Sequence, residues 1–408
     1  MDIDHDVLIV GGGLNGPTLA LALASAGITS AVIDAAPAAE RGRDDFDGRA
    51  YALALSSRRM FEALGLWRTL GREAQAIEEI VVSDGRAGEG AAPWFLHFDR
   101  AEIDEGPMGH FLEDRFLRRA LAAALAAEPR IRVLDATAVV AQIVRPGHVE
   151  ITLADGRTLR GRLIVGCDGR SSATARRAGI GRVGWDYSQA ALVASVEHEL
   201  PHRGVAHQFF TPEGPLAILP LPGNRSSIVW TETRERAAAI ARLDDAAFLA
   251  VLRPRFGDFL GAVQLAGARF TYPLGLSLAE RFVGERVALV GDAAHGVHPL
   301  AGQGLNLGLR DVAALAEVLA AARRRGQDLG AADVLDEYQR WRRFDAATLA
   351  AATDGLNRLF SNDHAPLRLL RDLGLGLVNR LPPLRRALIR EAAGLGGALP
   401  RLLRGRPL

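Results

Sequence analysis

Three glycines and one aspartate near the N-terminus have the types and spacing of a dinucleotide-binding site. Gly11, Gly13 and Gly16 follow a short apolar run as G-x-G-x-x-G, and Asp34 closes the next apolar run. The first glycine permits a tight turn, the second lets backbone approach a pyrophosphate, and the third lets the next helix pack closely. Asp34 would bind a ribose diol, which favours NAD or FAD over NADP. This stretch does not distinguish NAD from FAD. The alternative interpretation of the motif is a glycine-rich turn with a structural role only.

Two further loops place an acidic residue directly after an apolar run. One contains Asp168 and Gly169, and the other contains Asp292. Because the carboxyl ends of parallel strands form the ligand-binding edge of a doubly wound sheet, we expect both loops beside the glycine turn. Asp292 would then accept a hydrogen bond from a polyol hydroxyl, with a simple turn residue as the alternative.

The Asp292 loop continues into HPLAGQGLNLGLRD, residues 298–311. Gly302 and Gly304 open a long helix rich in alanine and leucine. The free N–H groups at its start can hold a partial negative charge, such as the pyrimidine oxygen of a reduced flavin. Asn306 adds an amide able to pair with a ring edge, and Pro299 fixes the loop before it. The alternative is a capped helix after a tight turn.

The elements that must position these loops come from distant parts of the chain. Short apolar runs typical of strands buried on both faces precede all three loops. Together with the helices that follow, they predict one sheet built from residues near 6–34, 160–168 and 286–322. Between them, short apolar stretches separated by proline and glycine are typical of an antiparallel sheet.

The sequence therefore predicts a mixed α/β (α+β) fold. A Rossmann-like cofactor-binding domain would be assembled from discontinuous segments, a β-sheet domain would cover the cofactor, and the C-terminal region would be helical. We assign residues 1–75, 100–183 and 275–345 to the cofactor-binding domain, 76–99 and 184–274 to the β-rich substrate domain, and 346–408 to the helical C-terminal region.

Composition excludes several classes of function. The chain has 408 residues and a net charge of +1, so nothing indicates a nucleic-acid partner. All 49 basic residues are arginine, which excludes a lysine Schiff base and a P-loop lysine. The single cysteine, Cys167, rules out an intrachain disulfide, indicates a reducing compartment and is expected to be a packed thiol. With no signal peptide, no membrane-spanning run and no metal-ligand spacing, we expect a cytoplasmic protein without a metal site.

The combined motifs resemble the FAD-dependent aromatic hydroxylases, which are single-component flavoprotein monooxygenases. The resemblance is strongest to the branch that hydroxylates the ring in ubiquinone biosynthesis, whose signature is similar to residues 298–311. FDGRAYALA at 46–54 is most like the enzymes that hydroxylate a 2-polyprenyl-6-methoxyphenol. GPLAILPL at 214–221, the helix from Glu113 and the tail around Tyr338 extend the resemblance along the chain.

The resemblance implies FAD as cofactor and assigns contacts to matching positions. The phosphates and the adenosine ribose would be bound by Gly11, Gly13, Gly16 and Asp34, where many relatives carry glutamate. Arg49 would reach the pyrophosphate or the flavin side, and Arg115 would contact the extended FAD chain. Asp168 and Gly169 would brace the FAD and the path of the reduced nicotinamide, and Asp292 would bind the ribityl chain. The isoalloxazine would be surrounded by Pro299, Gly302, Gly304 and Asn306.

The resemblance also implies a reaction. NAD(P)H, bound transiently, or another donor would reduce FAD, and O2 would add to give a flavin hydroperoxide that hydroxylates a polyprenyl phenol. The protein must exclude water from this reaction, because peroxide would otherwise leak away. The apolar strand at 214–221 could cover the site, and the alternative is that it is ordinary sheet core. His295 and His298 are weak candidates for moving the phenol proton, or they bind backbone in their loop.

Three other functions stay open at this point. They are hydroxylation of a soluble aromatic compound, FAD-dependent reduction of isoprenoid double bonds, and a non-catalytic flavin-bearing subunit of a quinone-synthesis complex. A disulfide-reductase type of flavoenzyme is disfavoured because the chain has neither a second G-x-G-x-x-G nor a cysteine pair.

The tail, residues 366–408, is basic and rich in leucine. It holds nine arginines against Asp372 and Glu391. Such a segment can lie on an anionic membrane surface, where a polyprenyl substrate would be dissolved. A helical cap on the cofactor domain and docking to a partner in a quinone-biosynthesis complex are the alternatives.

Overall fold

The structure is a computed structural model that describes residues 3–41, 48–86, 90–297, 302–360 and 376–408. Its strands, in chain order, are β1 (His5–Val10), β2 (Ser30–Ile33), β3 (Ala50–Ala54), β4 (Gln75–Ala76), β5 (Glu79–Arg86), β6 (Gly90–Asp99), β7 (Gly109–Glu113), β8 (Ile131–Leu134), β9 (Val139–Arg145), β10 (His148–Leu153), β11 (Thr158–Gly166), β12 (Arg182–His198), β13 (Val205–Thr211), β14 (Gly214–Leu221), β15 (Arg225–Thr233), β16 (Val263–Leu265), β17 (Phe270–Ala279), β18 (Val283–Gly284), β19 (Val287–Leu289) and β20 (His295–Gly296). Its α-helices are α1 (Asn15–Ser25), α2 (Ala38–Arg41), α3 (Leu55–Ala63), α4 (Trp67–Leu70), α5 (Asp114–Ala127), α6 (Ala173–Arg177), α7 (Arg234–Ala241), α8 (Asp245–Phe256), α9 (Gln303–Arg324), α10 (Ala332–Phe360) and α11 (Pro382–Ala392).

The first sheet has the order β18-β19-β11-β1-β2-β8. β1 pairs in parallel with β2 and β11, and β11 pairs in parallel with β19. Val10, Gly166 and Leu289 are in register at the carboxyl edge of these strands. The three loops that the sequence singles out therefore leave one edge of one sheet, as predicted. The apolar strands at its centre are buried on both faces, with α1 and α9 in the same core.

The second sheet has the order β20-β17-β12-β15-β14-β13-β5-β6. Its pairs are antiparallel except for β13 with β5. Along β14 the side chains alternate between two faces. Leu216 and Ile218 join a cluster with Trp230 and with Phe248 of α8. Leu219 and Leu221 on the other face belong to a second apolar cluster, so the strand is sheet core on both faces. A role as a roof over the site stays a prediction.

An apolar cluster, here called the inner cluster, packs the other face of the second sheet against β3, β7 and the tail. Leu219 lies at its margin together with Ala50 and Ala52 of β3. Its buried members are Leu55, Ile77, Leu96, Phe98, Ile103, Met108, Phe111, Ala206, Leu221, Ile389 and Ala393. The cluster holds the second sheet against the cofactor side of the molecule.

Several of the predicted domain boundaries fall inside regular elements. The boundary at 183/184 lies within β12, and the boundary at 274/275 lies within β17. These two strands pair with each other from Arg182 to Val193, apart from one irregularity. Both strands therefore continue across the predicted boundary between the cofactor-binding domain and the second sheet, because their antiparallel pairing continues there. The boundary at 345/346 likewise lies within α10.

The described part of the tail packs as a cap. Ile389, Ala393, Leu402 and Leu403 are buried. Arg385 donates to both carboxylate oxygens of Glu102 at 2.8 Å. The buried face of this part of the tail therefore packs as a helical cap, whereas Leu384 and Leu388 on the other face of α11 are exposed. Among helices in the described ranges, none combines the length and apolarity that crossing a bilayer requires.

Candidate cofactor and active site

The glycine turn after β1 has three glycines with different surroundings. Gly11 has φ of 114°, and a Cβ there would lie 2.3 Å from the carbonyl oxygen of Cys167. A Cβ at Gly16 would lie 2.0 Å from the carbonyl oxygen of Gly11. At Gly13 a Cβ would meet nothing within 4 Å. Chain packing alone thus requires the first and third glycines, whereas the second borders open space into which a phosphate could fit.

Asp34 lies against this turn. Its Oδ2 accepts a hydrogen bond from the backbone N–H of Gly12, and its Oδ1 accepts one from Ala36 at 2.7 Å. The carboxylate therefore connects the end of β2 to the loop after β1. That is the position at which the fold would present an acid to a ribose.

Asp168 binds mainly within its own loop. Its carboxylate accepts from Ser172 Oγ at 2.5 Å and from both the N–H and the hydroxyl of Thr174 at 2.9 Å. It therefore organises the start of α6, and its neighbour Gly169, with φ of 77°, faces open space. Burial, followed by the nearby carboxylates of Asp168 and Asp311, raises the pKa of the Cys167 thiol, so the thiol is poorly nucleophilic at neutral pH.

Asp292 follows β19 and is the more accessible acid at this edge. Nε of Arg170 donates to its Oδ2 at 3.2 Å, which joins the second loop to the third. From β12, Arg182 donates to the Asp292 carbonyl at 3.1 Å and to the Ala293 carbonyl. The backbone of this loop is therefore fixed while its carboxylate stays near solvent, where a polyol hydroxyl could reach it.

The start of α9 is built for a partial negative charge. Gly302 has φ of 64°, and a Cβ there would lie 2.8 Å from Cβ of Ala52. In the described residues no side chain caps the first turn, and that turn carries no acid. A Cβ on Gly304 would meet nothing within 4 Å. The helix start therefore combines the positive end of the helix dipole with open space beside Gly304. Pro299 and His298 lie outside the described residues.

Asn306 has a different role from the one expected. Its Oδ1 accepts from the N–H of Ala54 at 2.9 Å and from Ser57 Oγ at 2.8 Å. Its Nδ2 donates to the carbonyls of Ala52 at 2.8 Å and Gly302 at 3.1 Å. The amide has no capacity left for a ring edge, because it ties β3 to the first turn of α9. Asn306 shapes the site from behind.

His295 is likewise structural, although its partner is not the backbone. The ring is buried, and its Nε2 lies 2.6 Å from Oδ2 of Asp311. The same oxygen accepts from the N–H of Gly291 at 2.9 Å, while Oδ1 accepts from Nε of Arg342 at 2.8 Å. Burial alone would raise the pKa of Asp311, but the charges of His295 and Arg342 lower it. Asp311 thus fixes the Asp292 loop from below.

Arg49 and Arg115 lie near the junction of β7 and α5. Arg49 is 3.4 Å from Asp114, and Nε of Arg115 donates to Glu113 at 2.8 Å. The described residues contain no group of three or more His, Cys, Asp or Glu side chains that could hold a metal ion.

Two residues of the site, Asp311 and Arg342, were missed from sequence. Asp311 falls within the 298–311 motif, and its signal is an acid on the otherwise apolar face of α9. Arg342 carries no comparable signal, since it lies among other arginines of α10.

The arrangement as a whole suits an extended dinucleotide. Gly13, Gly169 and Gly304 each border open space. Gly13 and Gly169 lie in the first two loops at one sheet edge, and Gly304 lies in the first turn of α9, which follows the third loop. Oδ1 of Asn15, buried in the first turn of α1, has no hydrogen-bond partner within the described chain. Acids at two positions and an uncapped helix start could hold hydroxyls and a partial negative charge respectively.

Comparison with known proteins agrees with this geometry. The model of the FAD binding domain family matches residues 4–353. A ubiquinone hydroxylase, UbiL, of Rhodospirillum rubrum is 50% identical over 406 residues, which is 99% of this chain and 93% of that protein. The 3-demethoxyubiquinol 3-hydroxylase of Escherichia coli is 35% identical over 96% of this chain and 98% of its own.

A solved structure has the same fold. The p-nitrophenol 4-monooxygenase PnpA of Pseudomonas putida superposes with a TM-score of 0.80. The match covers 97% of this chain and 99% of that one at 20% identity, so it supports the architecture alone.

Proposed function

Because the chain belongs to the FAD-dependent aromatic-ring monooxygenases, we propose that it hydroxylates the ring of a polyprenyl phenol in ubiquinone biosynthesis. The observation that carries the proposal is similarity along almost the whole chain to proteins named as hydroxylases of ubiquinone or its precursor. Which ring carbon is attacked is a question for product analysis.

The residues at the sheet edge would bind the cofactor in an extended form. The pyrophosphate would lie against Gly13, the adenosine ribose against Asp34, and the ribityl chain against Asp292. The flavin would lie at the start of α9, whose N–H groups favour negative charge on the ring. When bound and reduced by NAD(P)H or another donor, FAD supplies the activation of O2.

The protein would contribute an apolar, water-poor wall on the ring side. Ala52 of β3 lies directly against Gly302, and Leu219 of β14 belongs to the same margin of the inner cluster. Such a wall excludes water from the reaction and favours an electron-rich ring with an isoprenoid chain.

The decisive experiment is reconstitution followed by isotope labelling. Protein loaded with FAD is given a short-chain prenyl phenol, NAD(P)H and 18O2, and the product is analysed by mass spectrometry. We expect a product that carries one labelled oxygen atom, in a new hydroxyl group on the aromatic ring. A saturated prenyl chain without label would indicate an isoprenoid reductase. Turnover of soluble phenols only would indicate that the substrate is a soluble aromatic compound. A purified chain that binds FAD but never turns over would support the assembly-subunit alternative.

We also propose contact with a membrane surface through the tail, because a polyprenyl substrate dissolves in the bilayer. Leu381, Leu384 and Leu388 lie at i, i+3 and i+7 and are exposed, and Arg386 of α11 is exposed as well. Co-sedimentation with vesicles containing anionic lipid tests this contact, and no binding at low salt would refute it.

A further inference from the structure

The junction of β7 and α5 holds two acidic side chains in the protein interior. Glu113 is 0% exposed and Asp114 is 2% exposed. A buried carboxylate is costly unless cations and hydrogen bonds surround it. Both acids have arginine partners, and those partners come from different parts of the fold.

Glu113 joins two layers of the molecule. Its Oε2 accepts from Nε of Arg115 on α5 at 2.8 Å, and its Oε1 accepts from Nη2 of Arg225 at 2.8 Å. Arg225 begins β15 in the second sheet. Each oxygen of one buried carboxylate therefore holds a guanidinium group, one from the cofactor side and one from the second sheet.

Asp114 repeats the pattern one residue later. Its Oδ2 accepts from Nε of Arg118 at 2.6 Å and lies 3.4 Å from Nη2 of Arg49. Across the two acids, four guanidinium groups face two carboxylates. Arg49 and Arg115 are also the arginines expected to reach the cofactor.

We propose that Glu113 is a positioning residue for the cofactor, which holds Arg115 in place for the extended FAD chain and couples it through Arg225 to the second sheet. The inference rests on the proposed function, because it takes FAD as the ligand. An arginine anchored at Nε by a buried carboxylate has lost most of its conformational freedom before binding. The cost of ordering Arg115 would therefore not fall on FAD association.

A double-mutant cycle tests the proposal with FAD affinity as the readout. Apoprotein of each variant is titrated with FAD while flavin fluorescence is followed. We expect Glu113→Gln to raise Kd about tenfold, and Arg225→Met to raise it about threefold although Arg225 lies in the second sheet. In an Arg115→Met background, Glu113→Gln should add less than about twofold, because the residue that it positions is absent.

Glu232 provides a matched control. It is also 0% exposed, and its arginine partners are Arg236 at 3.4 Å and Arg255, on α8, at 3.2 Å. Glu232→Gln removes an equally buried charge on the face that α7 and α8 cover. It should lower thermal stability and leave the Kd for FAD within about twofold of wild type.

The outcomes separate this inference from the proposed function. Failure of the wild-type chain to bind FAD would overturn both. FAD binding by the wild type with an unchanged Kd in Glu113→Gln or Arg225→Met would overturn the inference alone, as would full additivity of Glu113→Gln with Arg115→Met. If Glu113→Gln does not fold, Glu113→Asp keeps the charge and shortens its reach, and the same cycle applies.

Discussion

At the scale of single residues, two glycines of one motif should respond differently to the same substitution. Gly16→Ala would put Cβ 2.0 Å from a backbone oxygen, so we expect a loss of about 3 kcal/mol or more in unfolding free energy. Gly13→Ala meets nothing within 4 Å and should keep the stability of the apoprotein. It should nevertheless raise the Kd for FAD about tenfold, because its methyl group occupies the space of the pyrophosphate.

Thermal unfolding without FAD and FAD titration check the two glycine variants. If Gly13→Ala bound FAD as tightly as wild type, the open space beside Gly13 would not be the pyrophosphate site. A stable Gly16→Ala protein would mean that α1 can move away from the turn.

Asp292→Ala should weaken FAD retention without unfolding the chain. Its side-chain ion pair with Arg170 is 45% and 47% exposed, and such pairs contribute about 0–1 kcal/mol. Asp155→Ala, which breaks a comparably exposed pair with Arg157, serves as the control. Flavin content after gel filtration is the measurement. Equal flavin content in both purified variants would remove Asp292 from the site.

Asn306 and His295 show why residue type alone does not determine the role of a side chain. Both lie beside the expected flavin position, and both have the chemistry to act on a ring. Their hydrogen-bonding capacity is instead used by Ala52, Ala54 and Asp311. A sequence displays a side chain's donors and acceptors, but the partners depend on contacts between segments about 250 residues apart in the case of Asn306.

At the scale of elements, α9 connects the site to the core. Its start faces the cofactor edge, and Asp311, further along, holds the Asp292 loop and α10 through the contacts already described. Replacing Asp311 by Asn leaves the buried Arg342 and His295 facing a neutral amide. We expect a loss of about 3–5 kcal/mol in unfolding free energy at pH 7.

The Asp311 contribution should also depend on pH. The pKa of Asp311 is lowered by His295 and Arg342 against the effect of burial. A carboxyl group whose pKa is lower in the folded state stabilises the fold above its unfolded pKa, about 4, and loses that effect as pH falls. The difference in Tm between wild type and Asp311→Asn should be full at pH 7 and shrink below about pH 4. A constant difference across that range would contradict the assignment.

Secondary-structure elements were predicted correctly where the sequence pattern that defines them is local. The helix expected from Gly302 to Ala322 is α9, Gln303–Arg324, because an apolar periodicity and a glycine start suffice to define it. The continuity of β12 and β17 across two predicted boundaries was not predictable in this way. Pairing between strands about 90 residues apart depends on register, which no local pattern contains.

At the scale of the whole molecule, the shared edge of the first sheet follows from its motifs, whereas the role of the tail required the structure. Three apolar runs, each followed by a glycine or acidic loop, suffice to place one edge of one sheet. The sequence alone does not distinguish a tail leucine that faces a membrane from one that faces the core. Their burial separates the two roles, since Leu402 and Leu403 are at most 1% exposed while Leu384 and Leu388 are 43% and 38% exposed.

This division predicts opposite phenotypes for two pairs of leucines in the same tail. Leu402→Ala with Leu403→Ala should lower the unfolding free energy by about 4 kcal/mol or more, because both side chains are buried beside α3 and α9. Protein that remains folded should still bind anionic vesicles.

Leu384→Ser with Leu388→Ser should leave stability within about 1 kcal/mol of wild type and reduce vesicle binding. Activity on a water-soluble prenyl phenol should survive the second change, since it leaves the cofactor edge intact. If the second pair instead lowered Tm and left vesicle binding unchanged, α11 would be part of the cap alone, and the membrane contact would have to lie elsewhere.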